Sequence, residues 1–421
     1  MALLLAAMLL LADPDKPVAP PVGHTLTPVQ QLLTIPLALA GGKTVECRVP
    51  YGPVIPVCAV AFSPDGRLLA VGGYQEVLLW DLTEARLAWR VGSGVVGDVV
   101  HALAWRRDGR QLAIAEGTPG QKGALRLLDV TTGRQVGVWD EPGDSLHTVA
   151  FSPDERLVAT GGADGKVHVL STADRRLVKS FAEHTGWVHT LAFSPDGKHL
   201  VSSSGDHTAR VWQTEDWKLA IKLDQLDSVN GALFSPDSAT VLVAVGGAKE
   251  RAVRFRERAE GKVARSIDLG GTAPVGMVWD VKGERLFLPC TDKTVKAYGL
   301  GTANRNLSLT FTGHTDWVYS ISVSPDGTRL ASGSADGTVK LWNAADAKQL
   351  AVLVQLAPRT GHWLIATTPG FCTASLSAKP LLKWFPQGFE AATAAIEQAV
   401  LNPDQVKQVL AGQNPQPPAL Q

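Results

Sequence analysis

Residues 313–342 read GHTDWVYSISVSPDGTRLASGSADGTVKLW, and two features of that stretch decide how the rest of the chain is read. The first is Ser324-Pro325-Asp326-Gly327. Proline presets φ at the first turn position, Asp hydrogen-bonds to its own backbone, and Gly tolerates the positive φ that follows, so the run predicts a tight hairpin. The second is Val339-Lys340-Leu341-Trp342. Apolar and polar residues alternate there and end on a large ring, the pattern of a half-buried strand.

Both features repeat. The turn recurs at 62–66, 151–154, 193–197 and 234–237, with degenerate copies at 105–109 and 280–283. The strand end recurs as Trp80, Leu128, Leu170, Trp212, Phe255, Tyr298, Trp342 and Trp384, at intervals of 42 to 48 residues. A period of this size with several β-like runs and a terminal plug predicts four-stranded sheets arranged about an axis, an all-β propeller. Seven repeats supply four strands each. The remaining pieces, Lys43 to Val49 and Trp363 to Trp384, predict an eighth blade made of one N-terminal and three C-terminal strands; seven blades is the alternative.

Gly313-His314, Ser332, Asp336 and Trp342 together resemble the WD-repeat signature, and His184, Ser202, Asp206 and Trp212 match it in a second repeat. The resemblance implies a buried hydrogen-bonded chain from indole through Ser and His to Asp in each of those blades. It also implies docking of partner peptides near the start of the innermost strand, where Trp187, His189, Trp317 and Tyr319 stand. The other repeats depart from the pattern. Thr160 and Asp164 precede Leu170 rather than Trp, and the repeats at Leu128 and Phe255 have neither the His nor the Asp. Those blades are expected to rest on apolar packing and to be softer.

The resemblance spans about residues 43 to 354. Within it, 73–80 and 117–123 are similar to the WD-repeat portion of planctomycete-type proteins that join a cytochrome c domain to a propeller, and 363–371 is similar to an element after bacterial WD repeats. No haem attachment motif accompanies it.

Composition narrows the function. Forty basic residues balance forty acidic ones, which argues against a nucleic-acid partner, since phosphate binding needs a basic face. Cys47, Cys58, Cys290 and Cys372 form no Cys-x-x-Cys pair, so neither metal nor cofactor is expected. No nucleophile elbow, phosphate loop or His-x-x-x-His motif occurs. Arg251, Arg254, Arg256 and Arg258 alternate with Glu257 and Glu260, the pattern of a solvated strand face.

Ala2 to Ala12 is an apolar run the size of a signal-peptide core, too short to span a bilayer and without a preceding Lys or Arg. If it is a signal peptide the protein is exported, periplasmic or extracellular; otherwise it is cytoplasmic. The organisation expected is a leader at 1–12, a Pro-rich linker at 13–42, a propeller at 43–388, a helical extension at 389–412 and a tail at 413–421. Asn402-Pro403 reads as a helix cap and first residue. The function expected is a non-enzymatic, monomeric scaffold that presents loops to proteins or peptides. An exported propeller hydrolase or lactonase, or an accessory of a cytochrome-linked complex, is the alternative.

Overall fold

The computed structural model describes residues 31–92, 94–140, 143–300 and 307–420. The expected leader and the first part of the expected linker lie outside them. Eight β-sheets are present among the described residues, followed by two short helices, α1 (Thr393–Val400) and α2 (Pro403–Leu410). The chain is an all-β propeller with a small helical appendage.

Seven blades, numbered in chain order by their first strands Ala59–Phe62, Val100–Trp105, Leu146–Phe151, Val188–Phe193, Val229–Phe234, Val278–Trp279 and Val318–Val323, are each built on four consecutive antiparallel strands. In blade 4 these are Val188–Phe193, His199–Ser204, Thr208–Gln213 and Leu219–Asp224. The hairpins between first and second strands take the expected form. In blade 7, Gly327 has φ +71°, Ser324 Oγ donates to Asp326 Oδ1 at 2.5 Å, and Asp326 Oδ1 accepts from the Thr328 N–H at 3.0 Å. Where this glycine is missing, Glu155 and Ser238 adopt φ of 61° and 60° instead.

The ladder of large side chains has a common address. Trp80, Leu128, Leu170, Trp212, Phe255, Tyr298 and Trp342 all lie on third strands, opposite Leu69, Leu112, Val158, Leu200, Leu242, Leu286 and Leu330 of the second. The eighth member does not. Trp384 lies on Lys383–Gln387, opposite Cys47.

The innermost strands join neighbour to neighbour in a closed ring of seven. Trp105 Nε1 donates to Ala61 O, the Leu191 N–H to Thr148 Oγ1, the Ala232 N–H to Thr190 Oγ1 and Trp279 Nε1 to Phe234 O. The Val318 N–H donates to Cys290 O. At the seam, the Val60 and Phe62 N–H groups donate to Ser320 and Ser322 Oγ, each at 3.0 Å, so blade 1 meets blade 7 directly.

The eighth sheet draws on both ends of the chain, as the interval from Trp342 to Trp384 predicts, but its make-up and place differ. Trp363–Thr367 starts no new blade; it pairs with Gln349–Gln355 and, with Cys372–Ala374, widens blade 7 to six strands. The separate sheet has three strands, Gln31–Ala38, Thr44–Tyr51 and Lys383–Gln387. It stacks against the added strands of blade 7, burying Ile35, Leu37, Val45, Val49 and Trp384 on Val352, Val354, Leu364 and Ala366. Part of the expected linker is therefore an ordered strand. Pro36 is tolerated there because Gln31–Ala38 is an edge strand.

The other face of the widened sheet meets blade 1. Leu353, Ile365 and Phe371 share a core with Trp80 and Leu82, closed from outside by Val406 and Leu410 of α2. Asn402 caps α2 through its side chain, accepting from the Gln405 N–H at 3.1 Å. Arg329 ties the three parts together, donating to Gly66 O of blade 1 and Leu410 O of α2. The tail returns as well, with the Ala40 N–H donating to Pro418 O at 2.9 Å.

Candidate functional site

Two kinds of polar structure stand on this ring: relays inside blades 4 and 7, and a rim of ring side chains at one mouth of the channel. In blade 7, Trp342 Nε1 donates to Ser332 Oγ at 2.8 Å, Ser332 Oγ lies 2.7 Å from His314 Nε2, and His314 Nδ1 lies 2.9 Å from Asp336 Oδ2. Blade 4 repeats the geometry with Trp212, Ser202, His184 and Asp206 at 3.1, 2.7 and 2.9 Å. One tautomer satisfies every member: the hydroxyl donates to Nε2 and Nδ1–H donates to the carboxylate. All eight side chains are buried or nearly so.

Burial by itself would raise the Asp206 and Asp336 carboxyls. Hydrogen bonds from the histidine, from Thr208 or Thr338, and from the N–H of Thr185 or Thr315 outweigh it and hold both well below the ordinary carboxylate value. His314 moves down because burial outweighs the pull of Asp336. Thr208 and Thr338, which the sequence reading missed, join the relay; each donates to its Asp at 2.7 Å. A relay of this kind fixes a loop to a strand and offers no atom to a substrate.

The remaining blades lack the relay, and one register position shows the change in each of them. The place of Ser202 and Ser332 is taken by Val71, Ile114, Ala244 and Leu288, and by Thr160 in blade 3. Thr160 Oγ1 donates to Thr148 O, at 2.8 Å.

The rim lies where the innermost strands begin. Trp187 and Trp317 immediately precede the first strands of blades 4 and 7, and each carbonyl accepts from the turn between second and third strands, at Gly205 and Ala335. Their side chains are half-buried, as are His189 and Tyr319. The four do not form one cluster. Trp187 meets His147 edge-on, ring centres 5.3 Å apart, and His147 lies 4.8 Å from His101. Trp317 and Tyr319 stand on blade 7.

His101 and His147 were missed in the sequence, yet a signal exists. Val100-His101, Leu146-His147, Val188-His189, Val229-Asn230 and Val318-Tyr319 occupy one position, where each first strand slips register by one residue. The slipped residue is left outside the ladder. Burial pushes His189 down to about 4 and lowers His101 and His147, the latter well below its ordinary value with His101 and His189 beside it.

The arginine run is tied into the fold. Arg254 pairs with Glu250, Arg256 donates to Gly261 O and Asp224 O, and Arg258 donates to Ser238 O. Among the described residues no cluster of three His, Cys, Asp or Glu side chains has the geometry to hold a metal ion, and no helix is long and apolar enough to cross a membrane.

Comparison with known proteins supplies the rest. Residues 133–171, 175–213 and 305–343 match the WD domain, G-beta repeat family, and 60–145 match the anaphase-promoting complex subunit 4 WD40 domain. Similar proteins include the Denticleless protein homolog of Danio rerio, 32% identical over 99 residues, which are 23% of this chain and 14% of that protein. Small ribosomal subunit protein RACK1 of Caenorhabditis elegans is 44% identical over 62 residues, 15% of this chain and 18% of its own. Protein FIZZY-RELATED 3 of Arabidopsis thaliana is 24% identical over 149 residues, 34% of this chain and 28% of its own. The chain thus spans less than a third of each of these relatives. They are eukaryotic, and the likeness to bacterial cytochrome-linked propellers finds no support in them. With the repeat matches, the ring of four-stranded sheets and the two indole-to-carboxylate relays taken together, the chain is a β-propeller that carries WD repeats at 133–171, 175–213 and 305–343.

Proposed function

We propose that the protein is a non-enzymatic scaffold that holds partner proteins or peptides at the channel mouth, over Trp187 and His189 on one side and Trp317 and Tyr319 on the other. The observation that carries this reading is the half-burial of four ring side chains at strand starts where the Trp187 and Trp317 carbonyls are held by the Gly205 and Ala335 N–H groups. Rigid aromatic side chains on a fixed frame lose little entropy on binding and dominate interface energies. Relatives point the same way. One is named a small ribosomal subunit protein, and another, from Schizosaccharomyces pombe, a target of rapamycin complex subunit.

The balance of charge supports protein over nucleic acid as partner. The monomeric state and export through the apolar N-terminal run belong to this same reading. Affinity purification from the native cell tests it, with wild type beside Trp187→Ala/Trp317→Ala. Partners recovered by wild type and reduced at least about 30-fold by the double variant, the loss from two hot-spot side chains, support docking at the mouth. Equal recovery by both proteins places the docking face elsewhere.

A further inference from the structure

Blade 1 keeps the tryptophan of the relay and none of its partners. Trp80 sits at the register position of Trp212 and Trp342, but Val71 stands where they have Ser202 and Ser332. Glu76 takes the strand position of Thr208 and Thr338. Three polar atoms are left buried without a protein partner: Trp80 Nε1, Glu76 Oε1 and Gln355 Nε2. Trp80 and Glu76 are each 1% exposed. Gln355 comes from the fourth strand of blade 7, across the seam of the ring from the other two.

All three residues line a single cavity of about 30 Å³, walled by Val71, Leu353 and Tyr51. One water occupies about 10–15 Å³ of such space, so the cavity takes two or three waters and nothing as large as an imidazole ring. The hydrogen-bonding pattern selects water as well. Trp80 Nε1–H and Gln355 Nε2–H only donate, while Glu76 Oε1 only accepts, its other oxygen already receiving Arg90 Nε at 2.7 Å. A bare cation would face two donors and an anion would face the carboxylate. Water alone accepts from both N–H groups and donates to the oxygen, the three bonds usual for buried water.

We propose that this cavity is a specific water site, and that water there replaces the Ser and His of the complete relays and closes the ring at the seam of blades 1 and 7. A high-resolution crystal structure of the full chain should show an ordered water within about 3.2 Å of all three atoms. In solution, the Trp80 indole proton should exchange magnetisation with water, while those of Trp212 and Trp342, bonded to serine hydroxyls, should not. Trp80→Phe assigns the signal. Val71→Thr is nearly isosteric and puts a hydroxyl at the serine position, so the water contact of Trp80 should be lost. A dry cavity in the crystal, a direct Trp80 to Glu76 hydrogen bond, or a Trp80 signal as free of water contact as that of Trp342 overturns the proposal, whether or not Val71→Thr folds.

Discussion

Blades 3 and 4 are neighbours with first and second strands of equal length and a Ser-Pro-Asp turn in each, yet they fill their centres in opposite ways. In blade 4, Trp212 is the plug, held by its relay and stacked on Phe181 from the last strand of blade 3 at 4.4 Å. In blade 3 the plug is only Leu170, and the residue packed beside it from the last strand of blade 2 is Trp139. Phe181 and Trp139 share one register position, opposite Val167 and Leu125. The large ring has moved to the far side of the blade boundary, so close packing is kept while the hydrogen bond is not. Trp139 Nε1 has no partner and its ring lies against His168, centres 4.8 Å apart. What a blade requires is a filled volume between sheets; the relay adds orientation to it.

The largest effect should come from Trp342→Ala in the complete blade 7. It removes the plug and the hydrogen bond that Ser332 accepts from the indole, costing about 3–5 kcal/mol in a denaturant titration. Trp139→Ala should approach it at about 3 kcal/mol, and Leu170→Ala should lose about 2 kcal/mol. A Trp139→Ala cost below that of Leu170→Ala would break the idea that the plug has crossed the boundary.

Next comes the relay. Ser332→Ala leaves His314 Nε2 and Trp342 Nε1 unpaired and should cost about 1–3 kcal/mol, against about 1 kcal/mol for Thr160→Val, which loses one bond to a backbone carbonyl. Equal costs would mean that the relay adds nothing beyond its last link.

The smallest expected effect is in pH. His189 stays neutral in the fold down to about 4 from an ordinary 6.5. Between those values the unfolded chain takes up a proton that the folded ring refuses, so stability falls as pH drops from 6.5 to about 4 and levels off below. His101 and His147 shift in the same direction and steepen the loss. Asp206 and Asp336 keep their contribution through that window and lose it only as pH falls below the ordinary carboxylate value of 3.8. His189→Gln should flatten the slope between 6.5 and 4 in thermal melts. An unchanged slope would assign it to other groups.

Seven of the eight ladder positions were legible because they rest on local rules, a period near 42 residues and a strand that alternates, whereas both relays were legible only as what the WD-repeat resemblance implies. Trp384 kept the period and lost the meaning. Interval alone does not encode which strand a residue will pair with, and Lys383–Gln387 found Thr44–Tyr51 instead of a blade. Trp139 was passed over because it closes a strand rather than standing at the plug position, and its partner Leu170 looked merely weak. Gln31–Ala38 was hidden by Pro36 and the proline-rich stretch before it, since an edge strand tolerates what a central one does not. At the mouth, His101 and His147 were invisible one repeat at a time; only the shared register slip brings them into line.

The three-stranded sheet at the perimeter also governs how the molecule can be held. Gln31–Ala38 opens the described chain and Pro418, near its other end, lies against Ala40. Both ends of the described chain therefore lie on this sheet, at opposite ends of its edge strand. A load applied through that sheet would reach the ring at blade 7, through the contacts of Ile35, Leu37, Val45 and Val49 with Val352, Val354, Leu364 and Ala366.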